Sequence, residues 1–266
     1  MIETPFNYTG SKYKLLDQIL PHFNYNKPNF VDVFCGGGSV YTNVLDKYEN
    51  IIINDIISDL IGIHRGLMID DHIIETTKEL CPGKENPEGY AILRTDYNET
   101  PTPEKLWALM LSCTNNMMRF NQKFKFNQTY GNRGWNQNTD KKVNNFINHI
   151  REYKNKIKYS SIHFENLKFN ENHMLYVDPP YSNTEAGYNA FWKKDDDLKL
   201  YDWLVDNDKN GLSFVVSGTL IHDGKSCVLL DKLISDGYNL VELDFDYNKV
   251  SRKGDKITKE ILIKNY

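Results

Sequence analysis

The chain has 266 residues, enough for one large domain or for one domain carrying an insertion. It is 40% hydrophobic and 26% charged, the balance of a globular protein in water, and no apolar run approaches the length of a membrane span. The formal net charge of -4 excludes a uniformly basic nucleic-acid binder, yet residues 59–104 hold four basic and ten acidic side chains, while residues 105–158 hold eleven basic and two acidic.

A concentrated basic segment in an acidic chain is the footprint expected of a phosphate-contacting face; an ordinary solvated surface is the alternative. Met1-Ile2-Glu3-Thr4-Pro5 lacks the basic and apolar regions of a signal peptide, so a cytoplasmic location is expected. Cys35, Cys81, Cys113 and Cys227 lie far apart without metal-type spacing. They read as reduced thiols, and no metal is expected.

In chain order, Gly10 and Ser11 form a turn and cap before Leu15, Leu16, Ile19 and Leu20 at helical spacing. Tyr8 and Lys12 then flank a helix start whose free amides favour an anionic group, although a plain cap is the stronger reading of these residues alone. Asn29 to Phe34 is a short apolar strand, followed by Cys35-Gly36-Gly37-Gly38-Ser39 and a helix through Val40, Val44 and Leu45. Strand, glycine turn and helix make the first unit of a nucleotide-binding α/β fold. The dinucleotide pattern Gly-x-Gly-x-x-Gly is absent, so pyrophosphate binding is not implied. The second strand, Asn50 to Ile56, ends in Asp55, where ribose hydroxyls are held in such folds; a helix cap is the alternative.

The sheet pattern then gives way to helix over residues 57–80, a break at Cys81 to Pro87, a short helix around Tyr90 to Tyr97, and a helix capped by Thr102 and opened by Pro103. From Met117 to Arg133, Phe120, Phe124 and Phe126 alternate with Lys and Arg, which predicts a half-buried basic hairpin. Such a ribbon fits a DNA major groove, or else is a solvated hairpin with an aromatic inner face. A helix near 139–156 closes the insertion.

Strands are predicted at Tyr159 to Phe164 and at Met174 to Val177. Asp178-Pro179-Pro180-Tyr181 ends the latter, because two prolines cannot continue a ladder. A carboxylate, a carbonyl and an aromatic ring are thereby presented at the carboxyl edge of a central strand, where open α/β sheets bind ligands. A helix capped by Asp195, a strand at Leu212 to Ser217, a helix over 226–235 and two last strands, Tyr238 to Phe245 and Glu260 to Asn265, complete the chain.

The elements Tyr8-Thr9-Gly10-Ser11-Lys12, Phe30 to Ser39, Asn54-Asp55, Ser161-Ile162-His163-Phe164 and Asp178-Pro179-Pro180-Tyr181 stand in one order along the chain. With them, the sequence resembles the Dam-type (D12 class, alpha group) adenine-N6-specific DNA methyltransferases, most of all phage-encoded ones. The resemblance implies a Rossmann-like methyltransferase sheet with helices on both faces. Its catalytic domain would be residues 1–58 and 158–266, and a mostly helical target-recognition domain with a β-hairpin would be residues 59–157. S-adenosylmethionine is expected against Tyr8, Lys12, Asp32, Phe34, Gly36, Gly37, Asp55, His163, Phe164 and Asp178. Catalysis is expected of Asp178, Pro179, Pro180 and Tyr181. Contact with double-stranded DNA is expected of Asn116, Met117, Arg119, Lys123, Lys125 and Arg133.

The chemistry is coherent with those residues. Adenine N6 is a poor nucleophile, because its lone pair is delocalised into the ring. Asp178 and the Pro179 carbonyl can accept its two hydrogens and favour a pyramidal nitrogen, stabilisation aimed at developing charge. Tyr181 would stack on a base flipped out of the duplex. Thr114, Asn115 and Thr129 stand where the family carries an aromatic or apolar wedge and a hairpin proline, so GATC is the leading target rather than a settled one. Cytosine-N4 methylation, a catalytically silent DNA-binding relative, and methylation of RNA or of a protein glutamine remain as alternatives. A restriction endonuclease is a partner that the resemblance allows, in a bacterial or phage-infected cell.

Overall fold

The computed structural model describes residues 1–6, 8–180, 192–222, 225–244 and 259–266. Its strands are β1 (Asn29–Asp32), β2 (Asn50–Asn54), β3 (Ile157–Ser160), β4 (His173–Val177), β5 (Ser213–Thr219), β6 (Ile221–His222), β7 (Lys225–Ser226), β8 (Asn239–Glu242) and β9 (Glu260–Lys264). Seven of them form one open sheet in the order β3-β2-β1-β4-β5-β9-β8, and β6 pairs with β7 apart from it. The pairs from β3 to β5 are all parallel, whereas β9 runs antiparallel to both β5 and β8. Five carboxyl ends therefore share one edge, with β1 and β4 side by side at its centre.

Alternation along each strand divides its side chains between two faces. Val31, Val33, Leu175, Val177, Phe214 and Val216 pack on one face against Leu200 and Leu204 of α7 (Lys194–Lys209) and Leu229, Leu230 and Leu233 of α8 (Val228–Ser235). Phe30, Ile51, Met174, Tyr176 and Val215 face the other way, onto α1 (Leu16–Ile19) and the segment between β2 and β3. That segment contains α2 (Ser58–Ile69), α3 (His72–Leu80), α4 (Pro87–Glu99), α5 (Pro103–Ser112) and α6 (Gln137–Ile150). Helices thus cover both faces of a Rossmann-like sheet, as the patterning predicts. No helix among the described residues is long and apolar enough to cross a membrane.

Local chemistry accounts for the starts and stops. The Thr102 hydroxyl accepts a hydrogen bond from the Lys105 amide at 3.4 Å ahead of Pro103, so α5 begins where predicted. Leu106 to Ser112 are all buried, which makes α5 the centre of the inserted helices. Four expectations need correction. The helix after the glycine turn is only a 3-10 turn, Tyr41–Asn43, because Thr42 Oγ1 and Asn43 Nδ2 take the Gly38 and Ser39 carbonyls at 2.7 and 2.8 Å. Residues 57–80 form two helices, since Asp70 Oδ1 accepts from the His72 amide and opens a new start. Asp195 lies in the first turn of α7 rather than at its cap; Lys193 is the cap, and its amide donates to Asp196 at 2.9 Å. The predicted strand from Tyr159 to Phe164 ends at Ser160 as β3, and Phe164 begins a 3-10 turn.

Candidate active site

Both prolines after Val177 lack an amide donor, so β4 stops and Asp178 emerges at the carboxyl edge. Its carboxylate is held firmly. Lys12 Nζ lies 2.8 Å from both oxygens, with the two side chains 6% and 18% exposed. On the adjacent strand, Ser217 Oγ donates to Asp178 Oδ1 at 2.9 Å, and the Tyr176 hydroxyl lies 2.8 Å from Ser217 Oγ. A chain of polar groups on β4 and β5 therefore orients the acid from behind.

Asp32 closes β1 beside Tyr176. Burial, then the negative charge of Asp178, lifts its carboxyl well above the usual range, and Asp55 adds to this. Asp32 Oδ1 is buried with no hydrogen-bond partner among the described residues. A buried carboxylate oxygen of this kind suits a hydrogen-bond donor. Asp55, beyond β2, accepts from the Gly36 amide at 3.1 Å and the Ile57 amide at 3.0 Å. Burial nonetheless raises it to about 6. Asn54 beside it donates to the Val33 and Ile162 carbonyls and accepts from the Ile162 amide, tying together the ends of three strands.

Tyr8 packs directly on the glycine turn. A Cβ on Gly36, whose φ is +49°, would fall 2.9 Å from the Tyr8 ring, and one on Gly37 would fall 2.6 Å from Tyr8 Cβ. The missing Cβ atoms thus admit the Tyr8 side chain against the turn. Phe34, Phe164 and Trp192 form an aromatic wall with centroid separations of 5.5 to 5.9 Å. His163 stacks on Phe164 at 4.5 Å, and its Nδ1 lies 3.2 Å from Glu165.

All of these surround one cavity of about 720 Å³, which Tyr8, Lys12, Asp32, Phe34, Gly36, Gly37, Asp55, His163, Phe164, Asp178, Pro179 and Pro180 line together. Tyr181 lies outside the described residues. The hairpin reaches the same cavity through Met118, Phe120, Phe124 and Lys125. Of the six residues expected at DNA, only Lys125 lines it; its Nζ also bonds to the Asn98 carbonyl. Lys123 and Arg133 are exposed and Met117 is half-buried. Asn116 is different: it is 8% exposed, bonds the Met110 carbonyl at 3.0 Å, and accepts from Arg133 at 2.7 Å. It serves to hold Arg133 in place rather than to face outward. Arg119 Nε and Nη2 both bond to Asn127 across the hairpin, each at 3.0 Å.

Ser217, Trp192 and His64 were not singled out from the sequence. Ser217 had a signal, a polar residue near the end of an otherwise apolar strand. His64 had none, since it sits among Leu60, Ile61 and Leu67 on a buried helix face. From α2 its Nε2 lies 2.9 Å from the Gly36 carbonyl, and its Nδ1 lies 3.0 Å from the Tyr41 hydroxyl. Burial lowers its pKa to about 4, so the ring is neutral near pH 7 and supplies one donor and one acceptor. With Asp55 on the amide side, His64 fixes Gly36 from both sides. Cys35 offers no nucleophile, because burial pushes its thiol well up.

An open, mostly parallel sheet with an acidic cavity at its central carboxyl edge defines a ligand-binding α/β protein of the Rossmann-like kind. The family model of the D12 class N6 adenine-specific DNA methyltransferases matches residues 8–247, and the chain belongs to that family. It is 32% identical over 287 residues to the modification methylase StsI of Streptococcus sanguinis, an alignment covering 100% of this chain and 43% of that protein. The type II methyltransferase M.FokI of Planomicrobium okeanokoites is 31% identical over 281 residues, again with 100% and 43% covered. The chain thus spans less than half the length of these two relatives. The type II methyltransferase M.MjaIII of Methanocaldococcus jannaschii is 26% identical over 297 residues, covering 98% of this chain and 99% of that protein.

Proposed function

We propose that the chain transfers a methyl group from S-adenosylmethionine to N6 of an adenine extruded from a short double-stranded DNA site. The observation that carries this reading is the meeting, at one cavity, of Asp178 and Pro179 with Asp32, Asp55 and the glycine turn. The cofactor supplies an electrophilic methyl on a sulfonium. The cavity suits a ligand of that charge, because Asp32, Asp55, Asp59 and Asp178 line it against Lys12 and Lys125 among the described residues. The orphaned Asp32 oxygen fits an ammonium or hydroxyl donor, and Asp55 fits the ribose hydroxyls.

Asp178 accepts one N6 hydrogen and the Pro179 carbonyl the other, which draws the nitrogen lone pair out of conjugation. Once the methyl is attached, one N6 proton leaves along the hydrogen bond to Asp178. Lys12 and Ser217 keep that carboxylate aligned, so little reorganisation is needed at the transition state. Phe34, Phe164 and Trp192 offer an apolar wall for an adenine ring. Tyr181 is expected to stack on the extruded base. Residues 1–58 and 158–266 act as the catalytic domain and residues 59–157 as the target-recognition domain, with Arg119 and Arg133 at base edges. GATC is the first target to test. The relatives named as modification methylases support a restriction endonuclease as a partner.

The test is to incubate the chain with duplex DNA and methyl-labelled S-adenosylmethionine, then digest the DNA to nucleosides. N6-methyladenine should form with wild type, and Asp178→Ala should lower turnover about 10²–10³-fold or more. N4-methylcytosine as the product, or an Asp178→Ala variant as active as wild type, overturns the reading.

A further inference from the structure

Residues 119–127 form the hairpin that borders the cavity. Phe120 pairs with Phe126, and the Asn127 amide donates to the Arg119 carbonyl at 3.0 Å. A three-residue loop joins the arms: the Phe124 amide donates to the Asn121 carbonyl and the Asn121 amide to the Lys125 carbonyl, both at 2.9 Å. Loops of this kind end on a residue in the left-handed region, a place suited to glycine. Here that residue is Phe124, with φ of +55°.

Such a conformation is strained for a bulky side chain and persists only where its surroundings impose it. They do so here. Asn121 Oδ1 accepts from the amides of Lys123 and Lys125 at 2.9 and 3.1 Å, closing the loop from inside. Asn98 on α4 then clamps the following residue, accepting from the Phe126 amide at 2.7 Å and donating to its carbonyl at 3.0 Å. Phe124 itself lies outside the core. Phe120 and Phe126 are 8% and 1% exposed and meet edge-on at 5.6 Å, whereas Phe124 is 61% exposed. Its ring nonetheless lines the cavity that also holds Asp178 and Pro179, and lysines flank it on either side.

We infer that Phe124 stacks on the extruded target base at the mouth of the cavity, and that the strained loop exists to hold the ring there. This rests on the proposed methylation of duplex DNA. An extruded base loses both of its stacking neighbours, and an aromatic face restores part of that contact whatever the base. Lys123 and Lys125 place positive charge where the backbone of that nucleotide must pass. An anchored loop presents the ring without an ordering cost at each encounter.

The experiment compares the full chain with Phe124→Gly, Phe124→Leu and Phe124→Tyr, on duplexes carrying the methylated site and on the same duplexes with the target nucleotide abasic. Phe124→Gly should keep or raise Tm and leave S-adenosylmethionine affinity unchanged, while kcat/KM falls about 5- to 150-fold, the range of base–aromatic stacking. Phe124→Tyr should restore activity and Phe124→Leu should not. Affinity for the abasic duplex should be the same for wild type and Phe124→Gly. Three results overturn the inference: wild-type kcat/KM in Phe124→Gly, Leu replacing Phe as well as Tyr does, or a loss just as large on the abasic duplex, which would make the ring a wedge within the duplex. If wild type methylates no duplex adenine, the functional reading fails and takes this with it. If wild type is active and Phe124→Gly equals it, only the role of Phe124 fails.

Discussion

Burial lifts the Asp55 carboxyl to about 6, even though the amides of Ile57 and Gly36 donate to it. The folded chain therefore holds this proton to a higher pH than the unfolded chain, whose aspartates titrate near 3.9. Stability from this group is fully present below about pH 4 and is lost as pH rises through about 6. Ligand binding should run the opposite way. Hydroxyls donate best to the ionised carboxylate, and Asp32, lifted by burial and by Asp178, ionises more readily once a cation arrives. Affinity for S-adenosylmethionine should thus rise as pH is taken from 5 to 8, with protons released on binding. Asp55→Ala should weaken the affinity and flatten the profile without loss of folding. Calorimetric titration across that range checks this, and a pH-independent wild-type affinity contradicts it.

At the scale of the element, the hairpin, the segment after it and the start of α6 sort their cations by what holds them. Arg119 is aligned by Asn127 and Arg133 by the buried Asn116, so both guanidinium groups are pre-positioned. Lys142 is paired with Glu3 at 2.7 Å, while Lys123 and Lys141 are exposed. Arginine's planar fork suits a guanine edge, and lysine's compact charge suits phosphate. Arg119→Ala should cost about 1–3 kcal/mol on the preferred site and relax specificity at one base pair. Lys123→Ala should weaken every sequence alike and reduce the salt slope by about one. Methylation of a randomised duplex library separates the two. An even loss for Arg119→Ala together with a changed site for Lys123→Ala would reverse the assignment.

For the molecule as a whole, one apolar core runs from the sheet into the inserted helices. Phe6 meets Trp107 of α5 at 5.9 Å and Phe146 of α6 at 6.3 Å, and the same cluster includes Phe30, Ile51 and Tyr176. The insertion is therefore built into the fold that carries the cavity, and His64 of α2 extends that union to the glycine turn. Trp107 is fully buried, so Trp107→Ala should cost about 3–5 kcal/mol. The loss should appear in a single cooperative transition, with helix and sheet signals melting together. Separate transitions in denaturant, followed by circular dichroism and tryptophan fluorescence, would show that the insertion melts by itself.

The sequence by itself determined the features that depend on neighbours within a few residues. The stop at Pro179-Pro180 follows from missing amides, the break at Gly36 from a conformation few side chains tolerate, and the start of α5 from Thr102 and Pro103. Strand positions and the sheet's two covered faces were legible for the same reason, since period-two apolar patterning is local. The shortened helix at Tyr41 turns on local bonds too, but hydropathy is blind to Thr42 and Asn43 taking backbone carbonyls. The rest depended on closure of the chain. Lys12 meets Asp178 across 166 positions, Ser217 reaches it across 39, and His64 reaches Gly36 across 28. No local preference encodes those distances; they arise when β1, β4 and β5 align their ends. Phe124 marks the boundary between the two. Alternation of Phe120, Phe124 and Phe126 with Lys and Arg predicts a half-buried hairpin, and the Asn121 turn, pinned by Asn98 of α4, reverses the chain and sends the middle phenylalanine outward to the cavity. Apolar periodicity reports which residues prefer burial, and only the folded chain decides where a strained one is held.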